Sequence, residues 1–353
     1  MRVLALLLAS VFLLMFGYNA VESAYPLHSY NDATKVLSVL YFVLTLSSVL
    51  AGFLTSVKPA GTLMIFGPVG YFIFACSLLL DNFLLALIAS VIVGFTSAIY
   101  WICCRTIVYR VVEESKWGFA FGLISVVAVL AGGLGPFALL KIPYEDLLKI
   151  SAGLCLLSII PLLPLYGIGG SQRDERPTLS SIRNCLNGKL ILYSVVAFCF
   201  SVNLPIVIAY IPAVGKDIVG EYRLISYAIP STFSLLGGSL YDKFGAIVIP
   251  ISALLALIAF LNLPHNIIAW GFILTASFSI LFPGFQAFLG KIVSEDKIPL
   301  ALGFVGLISG VGVSLNIAVV GMLLSLSWLY LASLMMLGTV LSVCLLKASE
   351  KIK

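Results

Sequence analysis

The chain has 353 residues, 61% of them hydrophobic and 10% charged, with a formal net charge of +5, against about 25% charged in ordinary globular chains. That composition excludes a soluble domain. No basic cluster with interleaved aromatics is present, so the excess positive charge points to loops at a membrane surface and not to a nucleic acid.

A helix crosses about 30 Å of hydrocarbon with roughly 20 apolar residues, which gives the chain room for about a dozen spans. Apolar segments recur at residues 3–24, 34–55, 61–80, 83–109, 118–140 and 147–168, then at 189–214, 222–240, 246–263, 266–290, 301–325 and 328–347. The run from Met1 and Arg2 continues to about Ala24 without a small-residue cleavage pattern and reads as the first span. The longest polar stretch, residues 169–188 with Arg173, Asp174, Glu175, Arg176, Pro177 and Arg183, reads as a linker between 1–168 and 189–353. All seven cysteines except Cys185 lie in apolar segments, without disulfide or metal-ligand spacing. His28 and His265 sit in short loops without ligand partners, so no metal and no cofactor is expected.

Twelve spans put both termini on one side, and the basic residues choose which. With the N-terminus inside, the opposite side keeps only Lys35, Lys141, Lys149, Lys216 and Arg223 of the twenty Lys and Arg, and positively charged loops stay in the cytoplasm. Both termini are therefore expected to be cytoplasmic. The halves also match each other. Arg110 to Lys116 aligns with Lys291 to Lys297, and Ala120 and Gly122 with Ala301 and Gly303, each pair 181 residues apart. Both blocks follow a fourth span and precede a fifth.

Between the eighth and ninth spans stands Gly238-Ser239-Leu240-Tyr241-Asp242-Lys243-Phe244-Gly245. The first glycine lets a neighbouring helix approach, and the second suits a turn that needs positive φ. Together with the repeat, this stretch resembles the loop motif of the major facilitator superfamily of transporters. Two further features share the resemblance: Glu114 to Gly122, like the family's loop into helix 5, and Ala131-Gly132-Gly133-Leu134-Gly135-Pro136, like its helix 5 signature. The resemblance covers the whole chain. It implies an all-α integral membrane fold of twelve helices in two six-helix bundles, 1–168 and 189–353, related by an axis along the membrane normal. It also implies alternating access, in which Asp242 meets the start of helix 5 near Trp117 and Gly118, and Lys243 pairs with Glu295 below helix 10. Gly238 and Gly245 complete that gate, while Gly135 and Pro136 serve helix 5 packing. The first-half copy of the turn departs from the pattern, with Ser56 where the acid belongs, and Ser90 replaces the helix 4 arginine of proton-driven exporters.

By the same resemblance helices 1, 4, 7 and 10 line a cavity, which makes Tyr18, Asn19, Tyr100, Arg105, Asn203, Thr275, Ser279 and Gln286 its candidates. Thr275, Ser279 and Gln286 share one helical face. Arg105 suits either an anionic group or lipid headgroups, and its place about 22 residues into its span favours the headgroups. Glu22 lies near the outer end of its span, where acids face water, and no other carboxylate is a proton carrier, so proton coupling is not expected.

Tyr41 to Ser48, Gly70-Tyr71 and Gly94 to Trp101 resemble the UNC branch of the superfamily, whose animal members are channel regulators and receptor escorts. That names the alternative: a non-transporting membrane protein that regulates or escorts a partner. The main expectation is a monomer in the plasma membrane whose partners are the bilayer and a small solute. No enzyme motif is present.

Overall fold

The computed structural model describes residues 2–169, 186–202, 221–322 and 324–350, and every regular element among them is helical. In the first half α1 (Arg2–His28), α2 (Tyr30–Val57), α5 (Phe83–Val111) and α6 (Trp117–Leu139) are long. Between α2 and α5, α3 (Ala60–Met64) and α4 (Phe66–Leu79) share one apolar run, and α7 (Tyr144–Leu157) continues through a 3-10 stretch, Ile160–Leu165. In the second half α8 (Gly188–Phe200) comes first. A π-helical stretch, Tyr222–Ala228, and a 3-10 turn, Ile229–Thr232, then lead into α9 (Phe233–Phe244), followed by α10 (Val248–Asn262), α11 (Ile267–Ile292), α12 (Ile298–Met322) and α13 (Leu324–Glu350).

Ten segments of the described residues are long and apolar enough to cross a membrane, where hydropathy predicts twelve. One of the ten, Tyr222–His265, holds both α9 and α10 with a turn between them, and α8 is a shorter apolar helix.

Helix boundaries follow local chemistry. Asn82, Asn187 and Asn266 cap α5, α8 and α11, each side-chain oxygen accepting from the amide three residues on at 3.1, 2.8 and 2.9 Å. The turn after α9 is made by Gly245 at φ 71° and ψ −153°, a region that is open essentially to glycine alone.

The turns at Lys58–Pro59, 112–116, 245–247 and 293–297 define a lower face. Val3, Leu4 and Leu7 of α1 gather there with Val108, Val111 and Val112. α13 descends beside α10, with Trp328 stacked on Phe260 above and Thr339 bonded to the Ala253 carbonyl below, so both described chain ends lie toward the lower face.

Within the first half α1 packs on α6 and α7, and α5 on α2 and α4. Within the second half α11 packs on α9 and α10, and α8 on α12 and α13. Two seams join the halves: α2 against α12, and α6 against α9 and the π-helical stretch. Both seams are built on glycine. A Cβ on Gly52 would stand 2.5 Å from the Pro299 carbonyl, and one on Gly118 the same distance from the Gly238 carbonyl. The reason is the solvent: in lipid, helices gain nothing by hiding apolar side chains from each other, so close backbone approach drives their association. Large apolar side chains such as Leu46, Leu50, Leu84, Ile88, Leu254 and Met336 accordingly face outward.

Candidate functional site

Between the two seams lies a cavity with two chambers. The larger, about 430 Å³, is walled by Tyr18, Asn19 and Glu22 of α1, Tyr41, Thr45 and Ser48 of α2, Tyr71 of α4, Ser97 of α5, and Ser309 of α12. The smaller, about 280 Å³, is walled by Ser125 of α6, Ser234 of α9, and Thr275, Phe278, Ser279, Phe282 and Gln286 of α11. Trp101 and Arg105 of α5, Ala128 and Val129 of α6, and Tyr227 face both chambers.

Each side chain reaches its wall through helical periodicity. Ser97, Trp101 and Arg105 stand four residues apart and share one face of α5. Tyr100 lies elsewhere. It is fully buried between α1 and α4, its hydroxyl 3.2 Å from Ser10 Oγ and its ring against Gly67. Tyr100 therefore belongs to the packing of the first half and not to the cavity wall. Asn203 lies outside the described residues.

Arg105 opens onto both chambers, which corrects the headgroup reading, and among the described residues no acid is within ion-pair distance of it. Thr275 on the opposite wall is 3% exposed and its hydroxyl has no hydrogen-bond partner.

Glu22 also departs from expectation. It is 4% exposed and does not face bulk water. Tyr41 donates a hydrogen bond to its Oε1, and Tyr18 reaches the same atom at 3.5 Å. Tyr18 in turn packs edge-on against Tyr71, whose hydroxyl is 2.6 Å from Ser97 Oγ. The Asn19 amide instead bonds the Met15 carbonyl at 2.9 Å and lies against Gly132. The hydroxyls of Thr45 and Ser48 bond carbonyls of their own helix.

Below the cavity the halves meet. The Asp242 carboxylate accepts from the amides of Gly118 and Phe119, at 3.0 and 2.9 Å, at the N-terminus of α6. Those amides have no partner within their own helix, and the positive helix end favours the anion. Gly238, one turn earlier, lies against the Gly118 backbone. Tyr109 donates to the Gln286 carbonyl, and the Tyr109 and Trp117 rings fill the space that a side chain at Gly290 would need.

Lys243 and Glu295 do not pair. Lys243 lies over the Phe244 ring at 5.2 Å, and Glu295 is in electrostatic range of Arg110. Glu113 pairs with Lys116 in its own turn at 3.1 Å. Gly135 packs on the Phe16 backbone, one residue before Pro136 inside α6. Among the described residues no group of three or more His, Cys, Asp or Glu stands close enough to hold a metal ion.

Tyr41, Tyr71, Trp101 and Tyr227 are wall residues outside the sequence-derived cavity set. Trp101 was within reach of sequence reasoning, since it stands one turn from Arg105.

The family model described as Major Facilitator Superfamily matches residues 7–261. No curated protein matches the sequence. Among solved structures the chain is similar to the human organic anion transporter MFSD10 (TETRAN), with 13% identity and a TM-score of 0.76 over 97% of this chain and 99% of that one. It is also similar to a bacterial homologue of the iron transporter ferroportin in its outward-facing state, with 12% identity and a TM-score of 0.75 over 99% and 100%. A third is the superfamily transporter FucP in its outward conformation, with 15% identity and a TM-score of 0.77 over 97% and 98%. Likeness at such identity carries the fold and leaves the substrate open.

Proposed function

The chain belongs to the Major Facilitator Superfamily, a family of membrane transporters of small-molecule solutes and not of enzymes, and from that premise we propose that it carries a small solute across the plasma membrane by alternating access. In this reading residues 1–168 and 189–353 form six-helix bundles, 169–188 link them, and the chain works as a monomer. Twelve crossings are counted by dividing Tyr222–His265 at Gly245 and taking α8 as the start of a seventh span. The lower face is cytoplasmic, in line with its share of Lys and Arg.

The observation that carries the reading is the cavity itself. Polar side chains converge on it from both halves, Arg105 from one and Thr275, Ser279 and Gln286 from the other. An escort protein that never moved a solute would gain stability by filling this space with apolar side chains, since unpaired buried polar groups are costly. Below the cavity, Asp242 and Tyr109 join the halves by hydrogen bonds, and these contacts break when the cytoplasmic side opens. Two of the similar structures are in outward states, which agrees with a closed lower side here.

The test is solute-dependent thermal shift of the purified protein against a metabolite library, followed by uptake of each hit into sealed vesicles. Saturable uptake into vesicles containing the protein, absent from empty vesicles, is expected. Hits that bind but never accumulate or exchange refute the carrier reading.

A further inference from the structure

We propose that the smaller chamber binds a compact organic monoanion, a carboxylate or sulfonate on an aromatic or aliphatic body, with the Arg105 guanidinium as its anchor. The inference rests on the transport reading and names its substrate class.

Charge comes first. Arg105 faces the chamber without an acid in pairing distance among the described residues, and the chamber wall contains no Asp or Glu. Arg105 is half-buried, and a guanidinium partly withdrawn from water without a counter-ion is costly, so the site is poised for an anion. One planar guanidinium matches one carboxylate through two parallel hydrogen bonds, whereas a dianion would keep a buried charge uncompensated.

The opposite wall supplies the remaining polar contacts. Thr275, whose hydroxyl is buried and unpartnered, lines the same chamber as Arg105, with Ser279 one turn below it. Trp101, Tyr227, Phe278 and Phe282 supply flat apolar surface for the body of the molecule. A volume of about 280 Å³ lies just under the range of pockets that take drug-sized ligands, roughly 300 to 1,000 Å³, which favours a compact acid.

Glu22 does not turn this into a site for a small zwitterion. Ser10 of α1 and Tyr100 of α5 touch and set a common level. From that level Glu22 lies upward and Arg105 downward, and helix rise gives a separation of roughly 25 Å between their Cα atoms along the axes. Side-chain reach closes only part of that span. An amino acid cannot bridge it, so the two charges serve different ends.

The experiment uses the full chain in phosphatidylcholine nanodiscs, titrated by calorimetry and thermal shift. The probes are benzoate and 2-naphthoate, their uncharged amides, and inorganic phosphate. The acids are expected to bind saturably, with amides and phosphate at least about tenfold weaker. Arg105→Gln should weaken acid binding by at least about tenfold, Arg105→Lys by less, and Thr275→Val by about threefold to tenfold. Lys149→Gln, an exposed change outside the cavity, should change nothing. Acids that bind no better than their amides on the unaltered protein overturn the proposal without any variant, and so does acid binding that survives Arg105→Gln or a preference for phosphate. Vesicle uptake separates this inference from the one beneath it. Uptake of neutral solutes with no preference for acids keeps the carrier and removes the anion site, while Arg105-dependent binding without uptake keeps the anion site and removes the carrier.

Discussion

Replacing Asp242 with Asn tests the lower-face contact, cytoplasmic in the proposed orientation, while keeping its shape. Asn retains one carbonyl oxygen for either the Gly118 or the Phe119 amide, loses the negative charge, and turns an NH2 donor toward the other N–H. A charge at a helix N-terminus is worth about 0.3 to 1 kcal/mol at an exposed site and up to about 2 when partly buried. Asp242 is exposed, so solvent screening keeps the net effect within the exposed range. We take about 1 kcal/mol in favour of the closed cytoplasmic side, which corresponds to about a fivefold shift in population. The assay is labelling of Ser125→Cys, on the smaller chamber, in a Cys185→Ser, Cys344→Ser background, since Cys344 is exposed and Cys185 falls in the polar stretch of sequence 169–188. A membrane-impermeant maleimide added from the cytoplasmic side should react about five times faster in Asp242→Asn, with a smaller difference at high salt. Equal rates, or an equal rise from the outer side, refute the idea that Asp242 holds the halves together.

Three further outcomes follow from the same geometry. Gly245→Ala should destabilise the protein by about 1 to 3 kcal/mol in thermal unfolding, through backbone strain alone, because a Cβ there meets open space and only φ 71° opposes it; an unchanged midpoint refutes that strain. Tyr41→Phe removes the close donor to Glu22 and should cost about 1 to 3 kcal/mol, while adding Glu22→Gln should recover part of the loss in a double-mutant cycle; strict additivity shows that the pair is uncoupled. Gly290→Leu drives a side chain into the Trp117 and Tyr109 rings and should raise cytoplasmic labelling of the chamber well above that of Asp242→Asn, so a rate equal to wild type argues against closure at this level.

Much of the architecture is legible from hydropathy and turn chemistry, because a span is a local property. Gly245 announces its turn, and Thr275, Ser279 and Gln286 reach one chamber because their spacing puts them on one helical face. The charged residues were harder. Glu22 and Arg105 sit near span ends, where depth alone says water or headgroups, and their actual surroundings depend on how neighbouring helices are rotated. Tyr100 is instructive. It and Arg105 are separated by about 140° around the helix at 3.6 residues per turn, so they could never share a wall, and the angle was available before any coordinates. Lys243 and Glu295 failed for another reason: partnering between loops depends on distances that no single segment encodes.

The glycine seams and the cavity wall share only part of their surface: Gly306 and Gly310 of α12 lie against Ser48 and Thr45 of α2, which also face the larger chamber. At Gly52 and Gly303 between α2 and α12, and at Gly122 and Gly238 between α6 and α9, the nearest atoms are main chain, which is chemically the same whatever the neighbouring side chains are. The cavity wall is the reverse, made of side chains such as Arg105, Thr275 and Trp101. In the proposed carrier, selectivity can therefore be rewritten at wall groups remote from the seam glycines, such as Arg105, Thr275 and Trp101, while the main-chain contacts between the halves stay untouched.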